Sequence, residues 1–382
     1  IGAVDALHNT LDWVARGGEE DGRMGIVVFS DNAKYDLESS GEYTQGAGGG
    51  ALLVRHNPRL VVIPDRWGVS TTPVHDFFKP RREVSIQSVI DHVLQLASEA
   101  GATIRDGMAE AMIKHLPEST VRRLGIFAHG EENVKVHRDE PVFDGQFSNR
   151  CYREAVKQAF THFSEKAIKQ GRFDPDMDII LTEQWARIIM HLPYAFQAKR
   201  MFPDVFRHDR QHLDSWKDVE TEIGQMPLEE DFETVEEWEK EMDSYRRAVS
   251  KTEAFKQFVE DRIEKGQRAS SLIGNQYTGS IFLALMSTFE ADYEENANLD
   301  NMTLGLCGYG SGAKAKVFEA EIQPTWREIA SRWNLFERLE GRMAIDRVTY
   351  EALHKGLARE SIITPHGEFA LVDVASQGDE EG

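Results

Sequence analysis

Apolar residues recur at helical spacing over residues 1–16. Ala3, Ala6, Leu7, Leu11 and Val14 share one face, and Arg16-Gly17-Gly18 predicts the stop. The period then changes. Met24-Gly25-Ile26-Val27-Val28-Phe29 is a short continuous apolar run, the pattern of a buried strand, with Asp31 at its C-terminal end. A glycine-rich stretch from Thr44 to Gly50 leads into a second strand over Ala51 to Val54, and Leu60 to Ile63 predicts a third, stopped by Pro64. Helix, strand, loop and strand in that order suit a layered α/β protein.

Residues 84–138 read as a helical insertion. Ile86, Val89, Ile90, Val93, Leu94 and Leu96 mark one amphipathic helix, and Ala109 to Leu116 a second. Over residues 141–152 a turn gives way to a helix with Ser148 as its N-cap, continuing through Phe163. Another helix is predicted from Thr182 to Met190. Residues 209–268 are charged, with Trp216, Phe232, Trp238, Tyr245, Phe255 and Phe258 interspersed, and read as a pair of surface helices with acidic outer faces. Thr278 to Phe289 predicts a helix. Leu304-Gly305-Leu306-Cys307 predicts a buried strand running into a Gly308-Tyr309-Gly310-Ser311-Gly312 loop, and Ala315 to Glu321 a strand ended by Pro324. The segment from Ala375 reads as a disordered tail. No internal repeat is visible in the sequence.

Composition narrows the functional classes. The 382 residues, 41% hydrophobic, suffice for one large domain or two ordinary ones. There is no apolar run of about 18 residues and no basic-then-apolar leader, so neither a membrane span nor a signal peptide is expected. Two cysteines, Cys151 and Cys307, make no disulfide framework and fit a reducing cytosol. The net charge of -21 argues against nucleic acid as a partner. Arginine outnumbers lysine, which fits either a salt-adapted organism or an ordinary acidic cytosolic enzyme. With neither His-Glu-x-x-His nor paired Cys-x-x-Cys, no metal is expected.

Three segments carry candidate chemistry. In Met190-His191-Leu192-Pro193-Tyr194, a histidine at a helix end is held by the fixed φ of the proline; it can donate to a carbonyl oxygen or shuttle a proton, or be simply structural. Asn275, between Gly274 and a predicted helix, can donate to a thioester oxygen or cap that helix. The Gly308–Gly312 loop lacks both the dinucleotide and the Walker spacing, which leaves an acyl contact or a tight turn. Asp31, Asp144 and Ser148 are further polar candidates, each also readable as a turn or cap residue.

Taken in order, many segments resemble the 3-hydroxy-3-methylglutaryl-CoA synthase family of the thiolase superfamily, most of all its bacterial members. They are Trp13-Val14 with Asp21-Gly22-Arg23, Ser30 to Tyr35, Thr44 to Gly48, Asp76-Phe77-Phe78-Lys79-Pro80, Val142 to Ser148 with Cys151-Tyr152, and the three segments above. The resemblance implies a duplicated five-layer α-β-α-β-α fold, with the first half incomplete and helical insertions. Residues 1–80 would belong to the N-terminal half, 81–139 to the insertion, 140–374 to the C-terminal half with its charged helical segment 209–268, and 375–382 to the tail.

It also implies a cytoplasmic homodimer that condenses acetyl-CoA with acetoacetyl-CoA in the mevalonate route to isoprenoids, without cofactor or metal. His191 would polarise the ketone of the acceptor. Asn275 and Ser311 would contact the acyl groups. Tyr309, Gly310, Tyr277, Thr44, Asp31, Asp144 and Ser148 would line or support the pocket. Phe196 stands where many members carry a lysine, so Lys199 or Arg200 would meet the CoA phosphates. The alignment places the nucleophilic cysteine one position before Ile1 and the catalytic glutamate further upstream, which implies a truncated and inactive chain. Cys151 and Cys307 do not match the nucleophile. Two other readings stay open: a relative that acts on carrier-protein-bound polyketide chains, and a non-catalytic acyl-CoA-binding partner.

Overall fold

The computed structural model describes residues 1–108, 111, 133–137, 140–174, 178–358 and 361–364. The chain forms two compact units, Ile1–Glu340 and Gly341–Gly382. The expected helix Ala109–Leu116 (save residue 111) and the tail 375–382 lie outside the described residues.

The first unit opens with α1 (Gly2–Gly17), as its apolar period predicts, followed by β1 (Met24–Ala33) and β2 (Gly46–Arg55). The two strands pair antiparallel along their whole length, Met24 opposite Arg55 and Ala33 opposite Gly46. Two expectations change here. The glycine run is part of β2, and Asp31 lies within β1, before its end. Nor is β1 buried on both faces: Val27 is buried, but Ile26 is 67% and Val28 71% exposed. The alternation shows a sheet packed on one side only.

A larger sheet carries the core. β3 (Val61–Val62) and β4 (Trp67–Thr71) both pair antiparallel with β11 (Lys314–Ile322); β11 pairs antiparallel with β10 (Thr303–Gly310), and β10 runs parallel to β9 (Arg187–Met190). The segment Thr182–Met190 is therefore not a helix. A 3-10 turn, Leu181–Gln184, leads into β9, where Ile188, Ile189 and Met190 are all buried. A short apolar run fits helix and buried strand equally, and pairing with β10 decides. Gly308, Tyr309 and Gly310 likewise continue β10, so the expected loop shrinks to a turn at Ser311-Gly312.

Between the smaller and larger sheets lie α1 and the helix after Asn275. Val4 of α1 packs under Gly308, and Asp5 pairs with Lys314 and Lys316 of β11 at 2.8 Å. On the other side Phe29 of β1 stacks on Phe282 at 5.2 Å.

Two short ladders form the neck of the insertion. β5 (Phe77–Phe78) pairs with β8 (Val142–Phe143), and β6 (Arg81–Ser85) with β7 (Asn133–His137). The inserted residues thus leave and return at one place, and closing even a long loop there costs little extra entropy. α2 (Ile86–Glu99) matches the predicted amphipathic helix, with Ser85 as its N-cap.

α3 (Gly145–Lys169) covers the outer face of the large sheet. Its N-cap is Asp144, which accepts from the Gln146 and Phe147 amides at 2.8 and 2.9 Å; the expected cap, Ser148, lies inside the helix. The approach is close: a Cβ on Gly68 of β4 would fall 2.1 Å from the Ala159 carbonyl oxygen. After β9 come α4 (Gln197–Met201) and α5 (Pro203–His208).

The charged stretch forms four helices rather than two: α6 (Trp216–Ile223), α7 (Val235–Val249), α8 (Glu253–Arg262) and α9 (Glu264–Ile273). Trp216, Tyr245, Phe255 and Phe258 are buried, because the aromatic positions share the inner faces. α10 (Ser280–Glu294) is almost wholly buried and is tied to β9 by the Arg187–Asp292 pair, with contacts of 2.6 and 2.9 Å. α11 (Trp326–Ala330) and α12 (Leu335–Glu340) complete the unit. The second unit carries α13 (Arg347–His354), capped by Asp346 on the Thr349 amide at 2.7 Å. No described helix is long and apolar enough to cross a membrane.

Candidate functional site

His191 follows the last residue of β9, so a strand rather than a helix end positions it. Its amide donates to the Cys307 carbonyl at 3.0 Å, extending the ladder by one residue. Its carbonyl accepts from the Tyr152 hydroxyl at 2.9 Å. Nδ1 lies 2.6 Å from the Ser280 hydroxyl, at the start of α10. The ring sits 6.3 Å from that of Tyr152 and 6.2 Å from that of Tyr309. Burial lowers its pKa to about 3. The imidazole is thus neutral at pH 7, and can offer a hydrogen bond but no charge.

The starts of two helices meet at this histidine. Ser280 opens α10. The start of α1 lies against the end of β10, where a Cβ on Gly310 would fall 2.3 Å from the Ile1 nitrogen. The Ala3 amide donates to Thr278 Oγ1 at 2.7 Å, and the Thr278 amide donates to Asp31 at 3.3 Å. Asp31 thereby fastens β1 to the turn that precedes α10.

Asn275 is buried, but its amide is already engaged. Oδ1 accepts from the Tyr277 amide at 2.8 Å, and Nδ2 lies 3.5 Å from the Tyr35 hydroxyl. Its backbone N–H donates to the Thr44 carbonyl at 2.9 Å, while Thr44 Oγ1 donates to Gly41. Gly46 permits this approach, since a Cβ there would fall 2.6 Å from the Asn275 carbonyl oxygen. Tyr277 has φ +41°, a strained value for a residue with a side chain. Its ring meets Phe77 at 5.8 Å and lies 5.4 Å from the Lys79 amine, and burial raises its hydroxyl pKa.

Tyr309 donates to the buried Asp76 at 2.7 Å; burial and that bond raise its pKa far above the ordinary value. Asp76 also accepts from the Gly312 amide at 2.8 Å and from Ser148 at 3.4 Å. One carboxylate therefore holds the β10–β11 turn, Tyr309 and α3 together. Ser311, at the tip of that turn, is exposed.

Lys199, Arg200 and Asp144 face a different hollow, a cavity of about 890 Å³ between the start of α3 and helices α4, α7, α8 and α9. Arg150, Arg153, Arg246, Arg247 and Lys256 also line it. Lys199 lies over the exposed Phe196 ring at 4.5 Å, and Arg200 donates to the Tyr194 hydroxyl at 3.0 Å.

The structure thus gathers His191, Tyr309 and Gly310 around the start of α1, and Asn275, Tyr277 and Thr44 into an adjoining cluster. Ser311 and the Lys199–Arg200 pair lie apart from His191. Sequence reasoning missed Ser280, Tyr152 and Asp76 as partners. Tyr152 and Asp76 do lie within segments already singled out, and Ser280 within the helix predicted from Thr278. Cys307 is buried with its thiol pKa pushed up to about 12, and burial also raises that of Cys151. Neither is a ready thiolate. Among the described residues no cluster of His, Cys, Asp and Glu could hold a metal ion.

Comparison with known proteins gives this arrangement its relatives. The chain is 26% identical to the hydroxymethylglutaryl-CoA synthase of Haloferax volcanii over 377 residues, covering 97% of this chain and 70% of the relative. It is 25% identical to that of Schizosaccharomyces pombe over 359 residues, covering 92% and 63%. Among solved structures, a synthase in complex with 3-hydroxy-3-methylglutaryl coenzyme A matches with a TM-score of 0.64 at 24% identity, over 95% of this chain and 67% of that one. PksG from Bacillus subtilis matches with a TM-score of 0.58 at 16% identity, over 93% and 61%. These neighbours give the fold as thiolase-like. The chain spans about two thirds of the length of the relatives it matches. The family model for the C-terminal part of hydroxymethylglutaryl-coenzyme A synthase matches residues 135–362, more than half of the chain, and the chain belongs to that family.

Proposed function

We propose that this chain is the acceptor-binding part of a hydroxymethylglutaryl-CoA synthase, which joins the acetyl unit of acetyl-CoA to the ketone of acetoacetyl-CoA. The observation that carries the reading is His191, a neutral buried imidazole at the meeting point of two helix starts. In this reading it donates a hydrogen bond to the ketone oxygen as charge grows there during carbon–carbon bond formation. Tyr309, held by Asp76, and the Ile1–Gly310 contact shape the space beside it. Asn275, Tyr277, Thr44 and Asp31 hold the adjoining wall. Ser311 meets the acyl group from the hairpin tip, while Ser148 supports the pocket through Asp76, and Asp144 by capping the helix that carries Ser148. Lys199 and Arg200 take the CoA phosphates, while Arg150, Arg153 and Arg246 around their cavity are held by Glu239, Asp204 and Asp243. Neither Cys151 nor Cys307 is assigned the acetyl group. The reading includes a cytoplasmic homodimer acting in the mevalonate route, and it requires no cofactor beyond the two thioesters.

The test is equilibrium binding of acetoacetyl-CoA to the whole chain, with acetoacetyl carried on an acyl-carrier protein as the comparison. We expect the CoA thioester to bind, and Lys199→Ala or Arg200→Ala each to weaken it about tenfold, the loss of one charge-assisted contact. Labelled acetyl-CoA should leave both cysteines unmodified. Binding of the carrier-bound acceptor alone would replace this reading with a polyketide role. Binding of neither, or acetylation of Cys151 or Cys307, would overturn it.

A further inference from the structure

We propose that Ser280 is a positioning residue that fixes His191 in its Nε2–H tautomer, by donating its hydroxyl hydrogen to Nδ1. The inference rests on the reading of His191 as the hydrogen-bond donor to the ketone oxygen, because only this tautomer leaves the far nitrogen of the ring able to donate.

The hydrogen bonds around the fully buried Ser280 decide the polarity. The Leu192 amide donates to Ser280 Oγ at 3.1 Å. A backbone N–H can only donate, so one lone pair of Oγ is already used. The second contact, at 2.6 Å, is to His191 Nδ1. If Nδ1 carried the hydrogen, Ser280 would accept twice and its own hydrogen would have no acceptor among the described residues. A buried hydroxyl hydrogen left unpaired is disfavoured. If Ser280 donates, every group is satisfied: the amide gives to Oγ, Oγ gives to Nδ1, and Nε2 carries the ring hydrogen.

The surroundings hold that arrangement in place. The His191 backbone is fixed at both ends, by the Cys307 carbonyl and by the Tyr152 hydroxyl. Ser280 cannot drift, because it begins the 15-residue helix α10. The positive end of that helix also opposes a second proton on the ring. The groups facing the imidazole are Cys307 and Tyr309 from β10, Tyr152 from α3 and Ser280 from α10, with Ile1 beside them at the start of α1. None of them is a carboxylate that would draw the hydrogen to Nδ1. No described residue bonds Nε2.

Long-range nitrogen–proton NMR on the full chain with ¹⁵N-labelled histidine, at pH 7, tests this directly. His191→Asn identifies the His191 signals among the 13 histidines of the chain. The wild-type ring should show the Nε2–H pattern. Ser280→Ala should lose it, giving the Nδ1–H form or an averaged pattern, and Ser280→Thr, which keeps the hydroxyl, should restore it. A wild-type Nδ1–H ring would overturn the proposal, as would Ser280→Ala retaining pure Nε2–H. Should Ser280→Ala fail to fold, the wild-type and Ser280→Thr spectra still decide. The readout needs no substrate. A chain that shows the Nε2–H ring but binds no acetoacetyl-CoA would defeat the functional reading and leave the tautomer assignment standing.

Discussion

The molecule contains the same short unit twice, a helix followed by two antiparallel strands, in different surroundings. α1, β1 and β2 make the first; α10, β10 and β11 make the second. Both helices lie between the sheets, and their starts meet at His191. The strands differ sharply. Leu304 and Leu306 of β10 are almost fully buried, whereas Ile26 and Val28 of β1 are mostly exposed. The amino acids are of one kind, so the difference comes from what covers each sheet. α3 lies on the outer face of the second unit's sheet; among the described residues no helix lies on the outer face of β1 and β2. A five-layer fold needs a cover on both outer faces, and the described residues supply one. The β1–β2 sheet accordingly leaves Ile26, Val28 and Leu53 exposed on its outer face.

The sharpest way to break the comparison is at the covered sheet. Phe318 of β11 is fully buried and stacks on Trp67 of β4 at 4.0 Å, which in turn stacks on His8 of α1 at 4.1 Å. Phe318→Ala removes a ring that the surrounding sheet and helices cannot replace. We expect a loss of about 3–5 kcal/mol in urea unfolding. A loss below about 1 kcal/mol would mean that this sheet is no better packed than the bare one.

A second effect follows from the two histidines that the repeated units bury to different depths. Burial lowers the pKa of His8 on α1, and lowers that of His191 further, to about 3. In the unfolded chain both titrate near 6.5. Above that pH they are neutral in both states and add no pH dependence. Below it the unfolded state takes up protons that the folded state refuses, so stability falls as pH drops from 6.5 towards 3. The slope from His191 alone approaches about 1.4 kcal/mol per pH unit. Unfolding free energies at pH 7.5, 6 and 5 should fall in that order, and His191→Asn should flatten the acid limb. An unchanged slope in the variant would show that His191 is not the group refusing the proton.

Parts of this arrangement were legible in the sequence because they depend on local period. α1, α2, the strand at 304–307 and the strand at 315–321 each carry a helical or extended pattern long enough to identify. Thr182–Met190 does not. A few consecutive apolar residues fit helix and buried strand alike, and the choice lies with β10, more than a hundred residues away. The first three residues of that misread segment, Thr182 to Gln184, do lie in a turn, but the rest was decided by pairing. The family was readable from many short segments in order, which also singled out His191. The partners of His191 were not readable. Ser280 lies 89 residues from it, and Asp76 lies 233 residues from the Tyr309 it holds, so neither pairing leaves a spacing to find. The N-cap of α3 shows a smaller failure. Asp144 and Ser148 both suit a cap, and only the backbone reveals that the helix begins at Gly145.

The smallest expected effect bears most directly on what makes the two units differ. If the outer face of β1 and β2 is open in solution, polar side chains there should cost the fold almost nothing. Ile26→Lys with Val28→Thr replaces two side chains that are 67% and 71% exposed, while Val27, on the inner face, stays buried. We expect the unfolding free energy to remain within about 0.5 kcal/mol of the parent, as for surface positions generally. The same change should reduce concentration-dependent association in light scattering, because a contiguous apolar face and an unpaired strand edge promote it. A loss of stability comparable to that of Phe318→Ala would mean that the face is covered in solution. The two units would then differ by less than their exposures suggest. An unchanged tendency to associate would place the contact elsewhere on the surface, and the bare sheet would lose its claim to be the sticky face of the molecule.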